Sequence, residues 1–489
     1  QNAEEVYSGA GAGASLVLPP LNTYHFSVRA VDEVGNLSPL PSGDVVLDNN
    51  WNHVEHVRDP GGITGFAMCN AGDVDGDGID DLLASAPFYD GDVGEVMAFQ
   101  GVADLSSWAS PDAPVVLRRD ISGEYFGYFL SGVGDLDSDG FADVVVSGHG
   151  FDASRGRLSI YFGRSDFFSN PPTTPDIEIR GPVGTNGLLG RAFARLGDIN
   201  GDGFTDLFVS AYQLDGNGRG YIFFGKSRAE WTDPSFVNGD DGDGEAFVPV
   251  ANADISFLGI EVDDGFGYRW GNTSLGDLDG DGYDDFTIAA STVNEVYTFD
   301  GEAIQQITGR DVDPASDSVD ILSCGEAFDI RGFGEYAVGG HDVTADGIGD
   351  LVVSGSAYDR IYLFQGIDYG TGDPSITIGA SVIRELAWPE NIAFGDKFEI
   401  ADVNMDGLPD LVVGTNASTG HRAFIFYNNG DGGSPEPYFF NEPGSILYGT
   451  GDNYFGIDMA VGDFNGDGLP DIAVGEPAAE TIYVLFSSN

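Results

Sequence analysis

Lysine is almost missing from this chain: among 489 residues only Lys226 and Lys397 occur. With 20 Lys+Arg against 80 Asp+Glu, the formal charge is -60, a sign that excludes general nucleic-acid binding. The two cysteines, Cys69 and Cys324, stand far apart and do not make a disulfide framework; two separate buried thiols are expected. No apolar run approaches the roughly 18 residues of a membrane span, so no transmembrane segment is expected. No leader segment is visible either, and a start at Gln1 fits removal of one by processing or truncation. The six histidines lack metalloprotease spacing, and no Gly-x-Ser-x-Gly elbow appears.

What is present is apolar and glycine-rich. Hydrophobic residues make up 42% and aromatics 12%, enough to build a core and to exclude disorder. The 73 glycines suit many tight turns and short strands. The length exceeds one ordinary core, so several domains or a repeat architecture is expected. Bound divalent cations would relieve part of the acidity, and the remainder fits a salty setting.

A repeat is there. The segment Asp73-Val74-Asp75-Gly76-Asp77-Gly78-Ile79-Asp80-Asp81 recurs from Asp135, Asp198, Asp277, Asp342, Asp402 and Asp463, at intervals of 62, 63, 79, 65, 60 and 61 residues. A period near 60 leaves room for about four short strands per repeat. Before most loops stands a Phe-Gly pair (Phe126-Gly127, Phe266-Gly267, Phe333-Gly334, Phe394-Gly395, Phe455-Gly456), with Leu189-Gly190 and Thr64-Gly65 as weaker versions. A buried strand follows each loop, then an aromatic, β-branched strand such as Tyr221–Phe224.

These features resemble FG-GAP repeats, the units of the seven-bladed propeller of integrin α subunits and of many bacterial surface proteins. The resemblance covers roughly residues 50–489 and implies an all-β, seven-bladed β-propeller. The last repeat stops at its third strand, Thr481–Phe486, and residues 52–58 match a missing fourth strand, so this segment is expected to close the last blade. Residues 1–48 resemble the final strands of a fibronectin type III domain, a partial β-sandwich. Its missing half implies an upstream segment or another chain that completes it.

Each loop has the spacing of a Ca2+ site, with up to seven ions per chain. Alternate residues one, three and five aim oxygens at one point, position seven offers a carbonyl and position nine closes the shell. The ligand sets are Asp73, Asp75, Asp77, Ile79, Asp81; Asp135, Asp137, Asp139, Phe141, Asp143; Asp198, Asn200, Asp202, Phe204, Asp206; and Asp277, Asp279, Asp281, Tyr283, Asp285. They continue with Asp402, Asn404, Asp406, Leu408, Asp410 and Asp463, Asn465, Asp467, Leu469, Asp471. The loop of Asp342, Asp346 and Asp350 carries Thr344 at position three and is expected to bind most weakly. An EF-hand is excluded because position twelve of the first loop is Ala84, inside a strand. Calcium here is expected to rigidify each hairpin rather than do chemistry.

Strand alternation puts the acidic loops on one face and the turns between strands two and three on the other. The resemblance implies that this other face meets partners. Arg155, Arg157, Arg219, Arg360 and Arg422, with Tyr212 and Tyr358, fall in or beside those turns and form a candidate ligand face for a protein or glycan. Arg58, Arg119, Arg180, Arg331 and Arg384 end fourth strands and are expected to fasten neighbouring blades. The long third interval carries Asn238–Glu245, read as a mobile, solvated acidic loop on the calcium face rather than a further cation site. Gly220–Ser227 spells a P-loop, but its middle is an apolar strand and the reading is rejected. The function expected is an extracellular or cell-surface, non-enzymatic adhesion or assembly module. The alternative is a carbohydrate-binding or polysaccharide lyase-like propeller, which would need titratable groups gathered at the ring axis.

Overall fold

The computed structural model describes residues 52–57, 62–109, 114–259, 266–267, 272–278, 281–292, 294–305, 311–312, 320–323, 333–355, 359–366, 384–387, 394–415, 421–428, 445–449 and 454–486. The fibronectin-like segment lies outside them, as do Arg58, Asp279, Cys324, Arg331 and Tyr358.

Seven antiparallel sheets of four principal strands make up the described chain. In the first blade the strands are Met68–Gly72, Asp81–Ala86, Glu95–Phe99 and Val115–Arg118, in sheet order. The second strands, such as Asp143–Gly148 and Asp206–Ala211, are buried along their whole length. Blades pack on both of their faces, which is why these strands read as continuous apolar runs rather than alternating ones. The first strands touch one another in turn, and Met459–Gly462 returns to Met68–Gly72, so the ring is closed.

Closure uses the expected strand. Asn52–Val57 pairs antiparallel with Thr481–Phe486, with His53 opposite Leu485 and His56 opposite Ile482. Trp108, on the short helical turn Leu105–Ala109, packs at this seam against Phe99 and Phe464, and its carbonyl hydrogen-bonds His56 Nδ1 at 2.8 Å. Truncating so large a buried ring costs roughly 3–5 kcal/mol.

The Phe-Gly pair is a packing device. Phe126 is fully buried between the first and second blades with Val96, Leu117 and Val144. Gly127 has φ +85°, donates its N–H to Ser147 O at 2.9 Å, and would bring a Cβ within 2.8 Å of Val96 Cγ2. Only glycine tolerates that conformation and that approach together. The weaker Thr64-Gly65 does the same work, its glycine N–H donating to Ser85 O at 2.9 Å.

Candidate cation loops and the opposite face

In the first five blades the acidic loop leaves the first strand through a β-bulge. In the first blade the register shifts between Asn70 and Gly72, where Gly72 takes φ +73°, and the same shift recurs at Gly134, Gly197 and Gly276. The bulge turns the chain so that the loop's side chains face inward. Asp73 Oδ1 then accepts the N–H groups of Gly76 (2.6 Å) and Asp77 (3.0 Å), and Oδ2 that of Gly78 (2.9 Å). Asp77 Oδ1 accepts Ile79 N–H at 3.0 Å. Equivalent bonds hold the loops at Asp135, Asp198, Asp277, Asp342, Asp402 and Asp463.

The ninth residue is a staple as well as a candidate ligand. Asp81 is buried; its Oδ2 accepts Val74 N–H at 2.9 Å and its Oδ1 accepts Gly101 N–H at 2.7 Å, beyond the third strand. Asp143, Asp206, Asp285, Asp350 and Asp410 bridge in the same way. Burial outweighs these bonds and pushes the carboxyls of Asp81, Asp143 and Asp206 up to about 8, and that of Asp410 to about 7. A cation held beside them would offset that burial. Asp73, Asp75 and Asp81 bring oxygens within 4.8 Å of one another, as do Asp135, Asp137 and Asp143. Asp137 Oδ1 is buried and accepts no hydrogen bond. Hard, converging oxygens of this kind fit a divalent ion.

The loops are also joined round the ring, which sequence reasoning missed. The eighth residue donates its N–H to the first residue of the preceding loop: Ala142 to Asp73 O (2.9 Å), Asp284 to Asp198 O (3.0 Å) and Asp80 to Asp463 O (3.2 Å). Where that residue is aspartate its carboxylate returns the bond, Asp284 Oδ2 accepting Asp198 N–H at 2.8 Å and Asp80 Oδ2 accepting Asp463 N–H at 3.1 Å. The doubled aspartates at 80–81 and 284–285 were the available signal. The side chains of Ile79, Phe141 and Tyr283, expected only to offer carbonyls, press on Gly466, Gly76 and Gly201 of the preceding loop.

At Asp342 the loop keeps its form although Thr344 replaces a carboxylate. Thr344 donates its N–H to Asp350 Oδ2 (2.7 Å) and its hydroxyl to Asp350 Oδ1 (3.4 Å), while Gln365 Nε2 donates to Asp346 Oδ2 at 2.5 Å.

Two expectations about the other face are corrected. Arg155 and Arg157 are buried, at 1% and 0% exposure, and not presented to solvent. Arg157 pairs with Glu124 (2.6 Å) and Glu178 (3.2 Å). The segment Asn238–Glu245, expected as a solvated loop on the calcium face, instead reaches Arg155 and Arg180. Asp241 Oδ2 accepts Arg155 Nη1 at 2.6 Å, and Asp241, Asp243 and Glu245 converge on the Arg180 guanidinium at 3.0, 2.6 and 2.8 Å. Phe247 lies against Arg155 and Arg180, and Val248–Pro249 adds a fifth strand beside Ile177–Arg180. Buried guanidinium groups need several acceptors, and this insert supplies them. Arg119 joins the cluster through Glu178 at 2.7 Å. Arg219 pairs with Asp215 (2.8 Å), Tyr212 accepts Gln213 Nε2 (2.9 Å), Arg422 lies over Tyr448, and Arg360 is half-buried at the start of its strand.

Elsewhere on that face Phe66, Phe88, Tyr125 and Tyr128 form a half-buried aromatic patch, with Arg191 4.4 Å over the Tyr128 ring. Beside the arginine cluster runs an open groove of about 420 Å³ lined by Asp152, Ala153 and Val183–Asn186, with Val183 68% exposed. Asp152, Ala153 and Ser154 hold positive φ in succession, a strained turn of the kind found at binding sites.

Titratable groups do meet at the axis. Lys397 Nζ lies 3.1 Å from Asp458 and 3.7 Å from Glu399, which accepts the Tyr336 hydroxyl at 3.2 Å. Asp458 Oδ2 also accepts Met68 N–H at 3.2 Å. Burial opposes the charge on Lys397, but Asp458, Tyr336 and Glu399 hold its ammonium well above its usual range. Burial pushes the neighbouring Cys69 thiol up to about 12. These groups satisfy one another and tie the fifth, sixth, seventh and first blades together.

Closed seven-sheet geometry and an acidic loop after every first strand decide the repeat class. The chain carries FG-GAP repeats. The FG-GAP-like repeat family matches residues 135–209 and 402–474, and the FG-GAP repeat matches 65–97. Similar proteins include integrin alpha-PS3 of Drosophila melanogaster, 31% identical over 218 residues, which are 43% of this chain and 18% of that protein. Integrin alpha-PS2 of the same organism is 28% identical over 312 residues, 61% of this chain and 20% of its own length. Phosphatidylinositol-glycan-specific phospholipase D of Homo sapiens is 28% identical over 162 residues, 29% of this chain and 18% of that protein. The FG-GAP chain thus spans about a fifth of the length of the curated relatives it matches. Among the described residues no helix is long and apolar enough to cross a membrane.

Proposed function

We propose that this chain is an extracellular or cell-surface, calcium-binding adhesion or assembly module that does no catalysis. Its propeller spans 50–489, and residues 1–48 are a fibronectin type III-like segment. Calcium sits in the acidic loops and stabilises the native ring, since a ligand bound only by the folded state raises its stability. A protein or glycan binds the opposite face. The observation that carries this reading is the division of the ring: acidic loops on one face, and on the other an aromatic patch with Arg191 beside the Asp152–Asn186 groove. Aromatic rings with arginine are the usual anchors of interfaces. The similarity to integrin α subunits supports adhesion.

The calcium reading predicts that a chelator lowers the melting temperature; an unchanged value refutes it. The ligand reading predicts binding on a glycan array or to immobilised matrix proteins that is lost in Tyr128→Ala and Arg191→Ala. The axial grouping of Lys397, Tyr336, Glu399 and Asp458 favours a second reading, a polysaccharide lyase-like propeller. Unsaturated products released from uronate polymers, and lost in Lys397→Met, would decide for it.

A further inference from the structure

In a loop of this kind, positions three and five place two polar side chains side by side, and an N–H donor holds their outer oxygens. At Asp198, Asp402 and Asp463 the donor is internal: the amide of Asn200 bonds Asp202 Oδ2 (3.0 Å), Asn404 bonds Asp406 Oδ2 (3.1 Å) and Asn465 bonds Asp467 Oδ2 (3.3 Å). At Asp73 position three is a carboxylate and the donor comes from outside. Gln100 Nε2, just past the third strand, reaches Asp75 Oδ2 at 2.7 Å and Asp77 Oδ2 at 3.3 Å.

The loop at Asp135 has the same pair of carboxylates, but Phe162 stands in the place of Gln100, one residue before the glycine that holds the ninth aspartate. Arg228, from the connection in the third blade, crosses the Phe162 ring at 4.6 Å and takes over the clamp. Its Nε donates to Asp137 Oδ2 at 2.5 Å and its Nη2 lies 2.8 Å from Asp139 Oδ2. Arg228 opens a short helical turn with a Ser227–Glu230 capping box, and Trp231 anchors that turn, buried with its Nε1 3.4 Å from Leu136 O. The inner oxygen Asp137 Oδ1 stays without a partner.

We propose that Arg228 is the positioning residue of the Asp135 loop and that its charge sets this loop's calcium affinity below that of the Asp73 loop, where Gln100 makes the equivalent bonds without charge. The inference rests on reading the loops as calcium sites. Four carboxylates with one guanidinium leave the same net charge as three carboxylates with an asparagine amide, so Arg228 matches this loop to those at Asp198, Asp402 and Asp463. Affinity in oxygen-ligand loops follows ligand charge, and a fixed positive charge beside the ion opposes binding. The Asp73 loop keeps all four charges and binds more tightly.

Hydrogen exchange read by mass spectrometry against free calcium tests this on the full chain, with Gly140 N–H (2.8 Å to Asp135) and Gly78 N–H (2.9 Å to Asp73) as reporters. In Arg228→Gln the calcium midpoint at Gly140 is expected to fall about tenfold, and in Arg228→Lys to stay near wild type, with Gly78 unmoved in both. Gln100→Arg, which does not disturb the Trp231 anchor, is expected to raise the midpoint at Gly78 about tenfold. A Gly140 midpoint that is unchanged or higher in Arg228→Gln, or a Gly78 midpoint unmoved in Gln100→Arg, overturns the proposal while leaving the calcium reading intact. Absence of calcium-dependent protection in the wild type at both reporters overturns the calcium reading, and the proposal with it.

Discussion

Two acidic segments of this chain are written alike and close on different partners. Asp73-Val74-Asp75-Gly76-Asp77 and Asp241-Gly242-Asp243-Gly244-Glu245 both put carboxylates on alternate residues with glycines in left-handed conformations, φ +76° at Gly76 and +86° at Gly242. In the insert the three carboxylates close on the Arg180 guanidinium. In the repeat loop their counterparts close on the loop's own backbone N–H groups and on the space beside Asp81. The ninth residue makes the difference. Position nine of the repeat is a buried aspartate stapled to two backbone N–H groups, whereas the ninth position counted from Asp241 is Pro249, on the short edge strand. Alternating acids therefore specify only a cation, and the buried ninth carboxylate is what ties the loop to the blade.

Breaking the staple should give the largest effect. Asp143→Ala leaves the N–H groups of Leu136 and Gly163 buried without acceptors. Each such loss costs about 1–3 kcal/mol, so a fall of about 3–5 kcal/mol in unfolding free energy is expected, with or without chelator. A loss seen only in calcium would make Asp143 a ligand and no staple. Next comes the insert: Arg180→Met strips Asp241, Asp243, Glu245 and Glu178 of their shared cation. About 2–3 kcal/mol is expected, less than for a fully buried pair because Asp243 and Glu245 are half-exposed. Hydrogen exchange should locate the damage at 239–247, and chelator should leave it unaltered.

Much of this was legible in the sequence because it is local and repeated. The seven loops, the Phe-Gly pairs and the closing strand Asn52–Val57 all follow from spacing alone. The insert was misjudged because nothing within 238–245 says that Arg155 and Arg180, some 60 to 90 residues earlier, would be its partners. Arg155 and Arg157 were assigned to the surface by their turn, but the insert and Glu124 cover them. Arg228 stands 91 residues from Asp137, beyond any pattern, whereas Gln100 did leave a trace: Phe99-Gln100-Gly101 recurs as Phe364-Gln365-Gly366. The axial grouping of Lys397, Glu399, Tyr336 and Asp458 depends on three blades meeting, which no single repeat encodes.

Acid should separate the two segments further. Burial works against the charge on Asp241, yet Arg155 and Arg180 hold its carboxyl down to about 2. A folded-state pKa below the ordinary 3.9 contributes stability that is present above that value and lost as pH falls toward 2. The insert should keep its exchange protection at pH 4 and lose it below about 3, an effect of about 1 kcal/mol once solvent screening around this exposed residue is allowed for. Protection already gone at pH 4 would mean that Phe247 and the edge strand, not the ion pairs, hold the insert.

The smallest effect should be the one whose sign depends on the metal. Thr344 completes the Asp342 loop without charge, its hydroxyl turned to Asp350. Thr344→Asp restores the repeat's ligand set but brings a carboxylate beside Asp342, Asp346 and Asp350. In chelator that crowding should lower stability by about 0.5–1 kcal/mol, since like charges at a partly exposed site repel weakly. In calcium the new ligand should reverse the sign and add a comparable gain through tighter binding to the native state. Thermal unfolding of the variant and the wild type, each in calcium and in chelator, measures both signs. A loss in both conditions would show that the loop at Asp342 is shaped for its threonine, and that its backbone bonds alone are enough to hold it.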